Sequence, residues 1–301
     1  MRAKISLSFL LTAILLASTA SLFYYHVAKT SLRNEIYKQL RTTTVSRANH
    51  IKTFLREQEE IVELLARRSV FREYLLMSSG DSAFDTVKLL VKSELSETLE
   101  IHQEFLGITL LSSTGEVITA VGGTSAGFSK SDLDLYLQAE QGVFFRDIYL
   151  SPVTREPLLD VAAPIQFEGR FLGVVVVHLD THEIYSITLE RTGLGSTGEI
   201  YLISKDGHAI SPLRFIHERM FMKKIDTENV RLCLLHKGVS GEGEQEEIMV
   251  FPDYRGVEVV GTHDFIPAVQ WGILTEIDVD EAFASLEKMR FFALFIMCIT
   301  P

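Results

Sequence analysis

Three polar residues near the middle of the chain have the chemistry of a small-molecule site. Arg146 and Tyr149 lie in one largely apolar stretch, and Asp160 lies in the next. An arginine can bind a carboxylate through two parallel hydrogen bonds, and a tyrosine can form a pocket wall while donating one hydrogen bond. Asp160 would add an acceptor. The other interpretation of Arg146 is a solvated strand edge without a ligand.

A second polar group follows a strongly apolar run. His178, Asp180 and His182 stand at alternating positions, which places them on one face if the strand continues. Imidazole and carboxylate groups suit zinc or iron. We predict no metal and no cofactor, because the strand should end near Asp180 and no fourth ligand stands out. Asp180 itself has two interpretations, as a ligand contact or as a helix N-cap with Thr181.

Three glycines, Gly193, Gly195 and Gly198, match the pattern G-x-G-x-x-G of dinucleotide-binding proteins. That pattern needs a strand before the glycines and a helix after them. Here a helix is predicted before them and a strand after them, so we predict a turn between two structural units. The nine histidines are scattered and the two cysteines have no evident partner. Catalysis by this chain is therefore not expected.

The elements that must position these residues are short strands. Alternating and β-branched residues predict strands within 107–121 (two strands joined by a turn) and at 143–149, 158–166 and 171–180. The same order of elements repeats at 201–210, 257–262 and 270–277. We therefore predict two copies of one α/β unit, joined by a helix at about 181–194.

Helices are predicted before the first strand, over about 29–77 and 83–105. The first stretch contains no proline or glycine, and its apolar residues recur at spacings near three, four or seven. These apolar residues are Leu32, Ile36, Leu40, Ile51, Leu55, Val62 and Leu65.

Both ends of the chain are apolar. Residues 5–27 contain no Asp, Glu, Lys or Arg, and Arg2 and Lys4 precede them. About 20 such residues can cross a bilayer as a helix, with the preceding positive charges on the cytoplasmic side. A cleaved signal peptide is the alternative. Residues 291–301 indicate the first half of a second membrane helix, with a short core helix as the alternative.

The predicted organisation has five parts. Residues 1–28 form the membrane helix, 29–105 the helical stalk and second helix, 106–182 a membrane-distal module, 183–285 a linker helix and membrane-proximal module, and 286–301 the start of the second membrane helix. The net charge of −11 argues against nucleic acid as a partner, because phosphate binding relies on clustered Lys and Arg.

Several short motifs together resemble a known family. They include the run from Gly193 to Gly207, the run from Tyr254 to Gly261, the pair Trp271-Gly272, and Glu276-Ile-Asp278. In this order they resemble double Cache sensor domains over about residues 30–285. The resemblance implies an α+β fold, in which a long N-terminal helix carries two PAS-like Cache modules, each an antiparallel sheet flanked by helices.

The resemblance also implies a function. Such domains form the extracytoplasmic part of bacterial histidine kinases, chemoreceptors and cyclic-dinucleotide enzymes, and they bind small molecules, usually in the distal module. In amino-acid-binding relatives, the acid at the place of Asp180 receives the ligand's amino group. This chain lacks their clear Arg-x-Trp-Tyr element, since its only tryptophan is Trp271, which we interpret as core.

The expected receptor is therefore held in the bacterial inner membrane with residues 29–289 outside the cytoplasm. Its expected ligand is a carboxylate or an amine, bound by Arg146, Tyr149, Asp160, His178 and Asp180. Homodimerisation through the N-terminal helix is expected from the family likeness, with the apolar stripe as modest support. The alternative is a tethered or secreted binding protein without signalling output.

Overall fold

Three helices begin the chain in the computed structural model, which describes residues 2–78, 80–123, 133–216, 223–237 and 249–287. They are α1 (Arg2–Ala66), α2 (Ser69–Leu76) and α3 (Phe84–Ile101). The predicted helix over 29–77 is thus interrupted after Ala66, although no proline or glycine stands there. Arg68 has an extended backbone, and the break lets α2 turn so that Phe71 and Tyr74 are buried. Burial of these aromatic side chains decides the path of the chain.

The distal module is a five-stranded antiparallel sheet. Its strands are β1 (Phe105–Ser112), β2 (Val117–Gly122), β3 (Phe144–Leu150), β4 (Pro157–Phe167) and β5 (Arg170–Asp180), with helix α4 (Leu133–Ala139) between β2 and β3. The order across the sheet is β2-β1-β5-β4-β3. Every strand predicted for this half is present. β5 is central and almost wholly buried, as its β-branched sequence predicts.

The proximal module follows helix α5 (His182–Leu189), the predicted linking helix. It contains β6 (Glu199–Ile203), α6 (Glu228–His236), β7 (Met249–Pro252), β8 (Glu258–Ile266) and β9 (Trp271–Asp278). The described strands form a four-stranded antiparallel sheet in the order β6-β9-β8-β7. The prediction of a second strand at the end of 201–210 was wrong, because only two isolated bridges form there among the described residues, between Ile203 and Ala209 and between His208 and Lys224.

Helix α1 lies against the inner faces of both sheets. Its stripe from Leu40 to Leu65 is buried in one core with inward residues such as Val161 of β4 and Ile273 of β9. Polar contacts add to this packing, among them the ion pair of Lys52 with Asp264 at 3.1 Å. The part of the stripe from Leu40 to Leu65 is therefore intramolecular core and does not support a dimer interface, and homodimerisation through the N-terminal helix stays a prediction.

The predicted membrane helices have different outcomes. Helix α1 runs through residues 5–27 without interruption. Among the residues that the structure describes, however, no helix has an apolar stretch long enough to cross a membrane. The anchor at 1–28 stays a prediction from the sequence. The second membrane helix, predicted at 291–301, lies outside the described residues.

The glycine-rich loop at 193–198 lies between α5 and β6, in the order predicted for a turn. It binds the chain's own Glu281, in the short helix α7 (Val279–Ala282). The backbone N–H groups of Ser196 and Thr197 donate to the two carboxylate oxygens at 2.7 and 2.6 Å, and both hydroxyls donate as well. Gly195 has a φ of 67°, and a Cβ there would come within 2.5 Å of this carboxylate, so a side chain would strain the backbone and displace Glu281.

We expect Glu281→Gln to lower the free energy of unfolding by about 1–2 kcal/mol at pH 7, because an amide cannot accept from both N–H groups. Burial raises the pKa of Glu281, but the hydrogen bonds from Ser196 and Thr197 outweigh it and lower the pKa to about 2. This stability is present above the ordinary pKa of 4.5 and is lost as the pH falls towards 2. Urea unfolding measures it. The exposed neighbour Asp280→Asn is the control, and an equal loss in both variants would contradict the prediction.

Candidate functional site

The candidate site is built around Asp160 of β4, whose side chain is only 1% exposed. His178 Nδ1 donates to Asp160 Oδ1 at 2.7 Å, and the Tyr149 hydroxyl donates to the same oxygen at 3.2 Å. Arg146 donates to Asp160 Oδ2 at 3.4 Å. Four of the five predicted site residues thus form one connected cluster, with the carboxylate at its centre.

The register of the sheet brings these residues together. Arg146 of β3 pairs with Asp160, and Asp160 pairs with His178 of β5. Directly paired residues of antiparallel strands place their Cβ atoms about 4.5–5.5 Å apart on the same face. Thr109 of β1 joins from the neighbouring row, since it pairs with Val176 while its hydroxyl lies 3.2 Å from His178 Nε2. The cluster therefore crosses four adjacent strands.

A β-bulge brings Tyr149 to the cluster. Arg146 and Tyr149 are three positions apart, so a regular strand would point them to opposite faces. The register shifts between these two residues, because Arg146 pairs with Asp160 while Tyr149 pairs with Leu158. The extra residue returns Tyr149 to the face of Arg146. The guanidinium carbon of Arg146 then lies 3.8 Å from the centre of the Tyr149 ring, in a cation–π contact.

The cluster lies on the outer face of the sheet, opposite α1. Alternation along β4 and β5 places Asp160 with Ala162, and His178 with Val176. Ala162 and Val176 belong to an apolar layer under helix α4 that also contains Leu111, Leu135, Tyr136, Ala139 and Val174. The polar cluster thus lies at the edge of an apolar surface. Small-molecule sites commonly combine apolar walls with a few polar groups in this way.

Asp180, the fifth predicted residue, lies one row further along the same face. It pairs with Leu158, which pairs with Tyr149. Its Oδ1 accepts from the backbone N–H of His182 at 2.9 Å, which supports the start of α5. His182 is the first residue of that helix and is exposed. The strand alternation therefore stops before His182, and the three residues do not share a face as a metal site would require.

Asp147 points to the other side of β3 and contacts the proximal module. The indole N–H of Trp271 donates to Asp147 Oδ1 at 2.7 Å. Trp271 is fully buried, so its interpretation as a core residue is confirmed. Burial raises the pKa of Asp147, and the hydrogen bond from Trp271 partly offsets this. The bulge that presents Arg146 and Tyr149 is thus joined directly to the second module.

A model described as Cache domain, of the dCache type, matches residues 28–286. The match covers most of the chain and spans both sheets, so the chain belongs to the double Cache domain family. The resemblance inferred from the motifs, and the α+β fold with two modules on a long helix, are confirmed.

Solved structures share this fold at low sequence identity. The ligand-binding domain of Mlp24 with asparagine is 18% identical, with a TM-score of 0.59, and the match covers 85% of this chain and 99% of that one. The domain of the Pseudomonas fluorescens chemoreceptor CtaA with L-leucine is 18% identical, with a TM-score of 0.56 and coverages of 86% and 99%. The extracellular domain of mmHK1S-Z2, described as a histidine kinase, is 13% identical, with a TM-score of 0.60 and coverages of 82% and 98%. No curated protein sequence matches the chain.

As a member of the double Cache family, the chain is an extracytoplasmic sensor domain. Sequence reasoning did not identify the contacts of Thr109 or Asp147. It also did not identify the buried carboxylates of Glu199 and Glu276. Both glutamates stand in strongly apolar strands, and this pattern could have indicated them, since a charged residue is rarely buried without a partner.

Proposed function

We propose that this chain senses a small molecule that carries a carboxylate, and that it does so for a membrane-bound signalling receptor. The observation that carries the ligand class is the Arg146 guanidinium, which lies over the ring of Tyr149 beside an apolar layer. Asp160 already accepts hydrogen bonds from Arg146, Tyr149 and His178. It therefore acts as the group that orients them, and the ligand would meet the arginine.

The neighbours support a ligand of this class. Asparagine and L-leucine, named with Mlp24 and CtaA, both contain a carboxylate and an amino group. In this chain Asp180, one row from Tyr149, is the residue that would receive an amino group. The position between Arg146 and Tyr149 that precedes the tyrosine is Ile148 rather than tryptophan, and its side chain is buried. This departure favours a carboxylate ligand other than a common amino acid.

The type of receptor is a further part of the proposal. A histidine kinase or a chemoreceptor fits the neighbours, with the chain anchored in the bacterial inner membrane by residues 1–28 and paired as a homodimer. Ligand binding would favour one of two module arrangements, which requires different affinities for the two. The alternative, a tethered or secreted binding protein, is decided by the gene beyond codon 301. A complete second membrane helix followed by a kinase, methyl-accepting or cyclase region identifies the receptor.

Arg146→Ala should remove most of the thermal shift that a carboxylate ligand produces. A screen of carboxylates, amines and amino acids on the full chain in detergent identifies the ligand, because binding to the folded state stabilises it by about 2.7 kcal/mol at 100 times Kd. Loss of a charge-assisted bidentate contact should weaken binding by about 2–3 kcal/mol, or roughly 30- to 150-fold.

The matched control is Arg170→Ala, which removes an exposed arginine at the far end of β5. It should leave the ligand-induced shift unchanged. Arg146→Lys should bind more weakly than the wild type, since lysine cannot form the planar pair of hydrogen bonds. If Arg146→Ala and Asp180→Ala both retain the full shift, the proposed ligand site is wrong.

A further inference from the structure

Three carboxylates are buried together on the outer face of the proximal sheet. They belong to Glu199 on β6, Asp253 just after β7 and Glu276 on β9, which are 5%, 5% and 1% exposed. One oxygen of each lies within 4.8 Å of the other two. The group is in the second module and is separate from the site around Asp160.

Glu276 has an oxygen without a hydrogen bond. Its Oε1 accepts from the Tyr201 hydroxyl at 3.0 Å and from Asn229 Nδ2 at 2.9 Å. Its Oε2 is buried and accepts no hydrogen bond from any residue that the structure describes. A buried carboxylate oxygen without a donor costs free energy, so its presence requires an explanation.

The charge of the group is also only partly balanced. Arg255 donates to Asp253 at 2.6 Å and to Asp278 at 2.5 Å, so its single positive charge is shared by two carboxylates. Glu199 accepts from the Tyr254 hydroxyl at 2.7 and 2.8 Å, which adds no positive charge. Buried carboxylates need a positive partner, a proton or a metal ion.

The donor atoms identify the kind of ion. All three ligands are carboxylate oxygens, which hard cations prefer, whereas zinc and copper favour nitrogen and sulfur. Three oxygens within 4.8 Å of one another can all lie close to 2.3–2.6 Å from one point, the usual calcium–oxygen distance. Magnesium demands strict octahedral geometry at about 2.0–2.1 Å and usually keeps several waters, so a buried group of three carboxylates suits it less well.

The place of the group in the module is a separate observation. Glu199 pairs with Glu276 across β6 and β9, as Gly107 pairs with His178 across β1 and β5. Glu276 and His178 each stand two residues before the aspartate that ends the strand. The two modules therefore carry polar clusters at the same position of their outer faces, the position that we assign to a ligand in the distal module.

We propose that Glu199, Asp253 and Glu276 bind a calcium ion in the proximal module. Glu276 Oε2 would be one ligand. The ion would balance the negative charge of the carboxylates that Arg255 does not neutralise. The site would add a second input to the sensor, independent of the carboxylate bound in the distal module.

The test uses the full chain, purified in detergent and freed of metal with EDTA. CaCl2 should raise the melting temperature, and MgCl2 at the same concentration should raise it less. Tb³⁺, which replaces calcium, should show luminescence sensitised by Tyr201 and Tyr254, because their hydroxyls contact two of the ligands. Added CaCl2 should displace this signal. These measurements on the wild type do not depend on the folding of any variant.

Glu276→Gln should weaken calcium binding at least about tenfold, since it removes one ligand charge. Glu258→Gln, which changes an exposed residue of β8, is the matched control and should bind calcium as the wild type does. The proposal is overturned if CaCl2 up to about 10 mM, roughly ten times the Kd of the weakest extracellular calcium sites, produces neither a thermal shift nor competition with Tb³⁺. It is equally overturned if Glu276→Gln binds calcium with unchanged affinity. Neither result bears on the distal site.

Discussion

Glu276→Gln should make the metal-free protein markedly more stable at pH 8 and leave its stability almost unchanged near pH 4.5. Burial raises the pKa of Glu276 from 4.5 to about 8, and hydrogen bonds from Asn229 and Tyr201 offset only part of this effect. One pKa unit corresponds to about 1.4 kcal/mol. The difference in the free energy of unfolding between variant and wild type should therefore reach several kcal/mol at pH 8.

The direction of the effect follows from proton binding. Between pH 4.5 and 8, the folded protein keeps a proton on Glu276 that the unfolded chain releases. The stability that this proton contributes is fully present below the ordinary pKa of 4.5 and is lost as the pH rises through the folded pKa of about 8. Glutamine carries no charge at any of these pH values and can still accept from Tyr201 and donate through its amide.

Urea unfolding at several pH values in the presence of EDTA measures this difference. Burial also raises the pKa of Glu199, so part of the dependence of stability on pH remains in both proteins. Only the difference between the two curves therefore reports on Glu276. Glu258→Gln should follow the wild-type curve, because this side chain is exposed. A Glu276→Gln curve parallel to that of the wild type from pH 4.5 to 8 would show that Glu276 ionises normally in the folded protein.

The distal cluster shows what local patterns in a sequence can predict. Arg146, Asp160 and His178 lie on strands that composition and alternation identify, and residues paired across such strands become neighbours. Tyr149 joins them through a bulge, which no periodic pattern predicts. The chemistry of a site can therefore be inferred from residue types, whereas the register that assembles it depends on the whole sheet.

Contacts between distant parts of the chain were not predictable in this way. The break after Ala66 depends on burial of Phe71 and Tyr74 from α2, and nothing in the local sequence marks it. The loop at 193–198 had the glycines of an anion-binding turn, but its anion is Glu281, more than 80 residues away. Local sequence propensity does not indicate which distant residue will bind to such a loop.

Trp271→Phe should lower the free energy of unfolding by about 2–4 kcal/mol at pH 7, and by less at pH 4. The smaller ring leaves a cavity in the shared core, and Asp147 loses the N–H that donates to it at 2.7 Å. The pKa of Asp147 is already raised by burial. Without the indole it should rise further, so the variant should lose more stability than the wild type as the pH increases.

Asp147→Asn is the matched variant, because its amide oxygen can still accept from the indole while the buried charge is removed. It should change the free energy of unfolding by less than about 1 kcal/mol and should weaken the pH dependence. A double-mutant cycle with Trp271→Phe should give a coupling energy of about 0.5–3 kcal/mol, as residues in direct contact do. Additive effects would mean that the two side chains act independently.

The coupling would matter for signalling because of where Asp147 stands. It follows Arg146 inside the bulge that presents Arg146 and Tyr149 to a ligand, and its own side chain is held by the first residue of β9. β9 ends at Asp278, immediately before α7 and Glu281. A ligand that changes the bulge must therefore act on the hydrogen bond between Asp147 and Trp271 of the proximal module.

Trp271→Phe should alter the affinity for a carboxylate ligand, although Trp271 belongs to the proximal module and does not line the ligand site. Isothermal titration of wild type and variant measures this. Equal affinities would rule out this route between the modules.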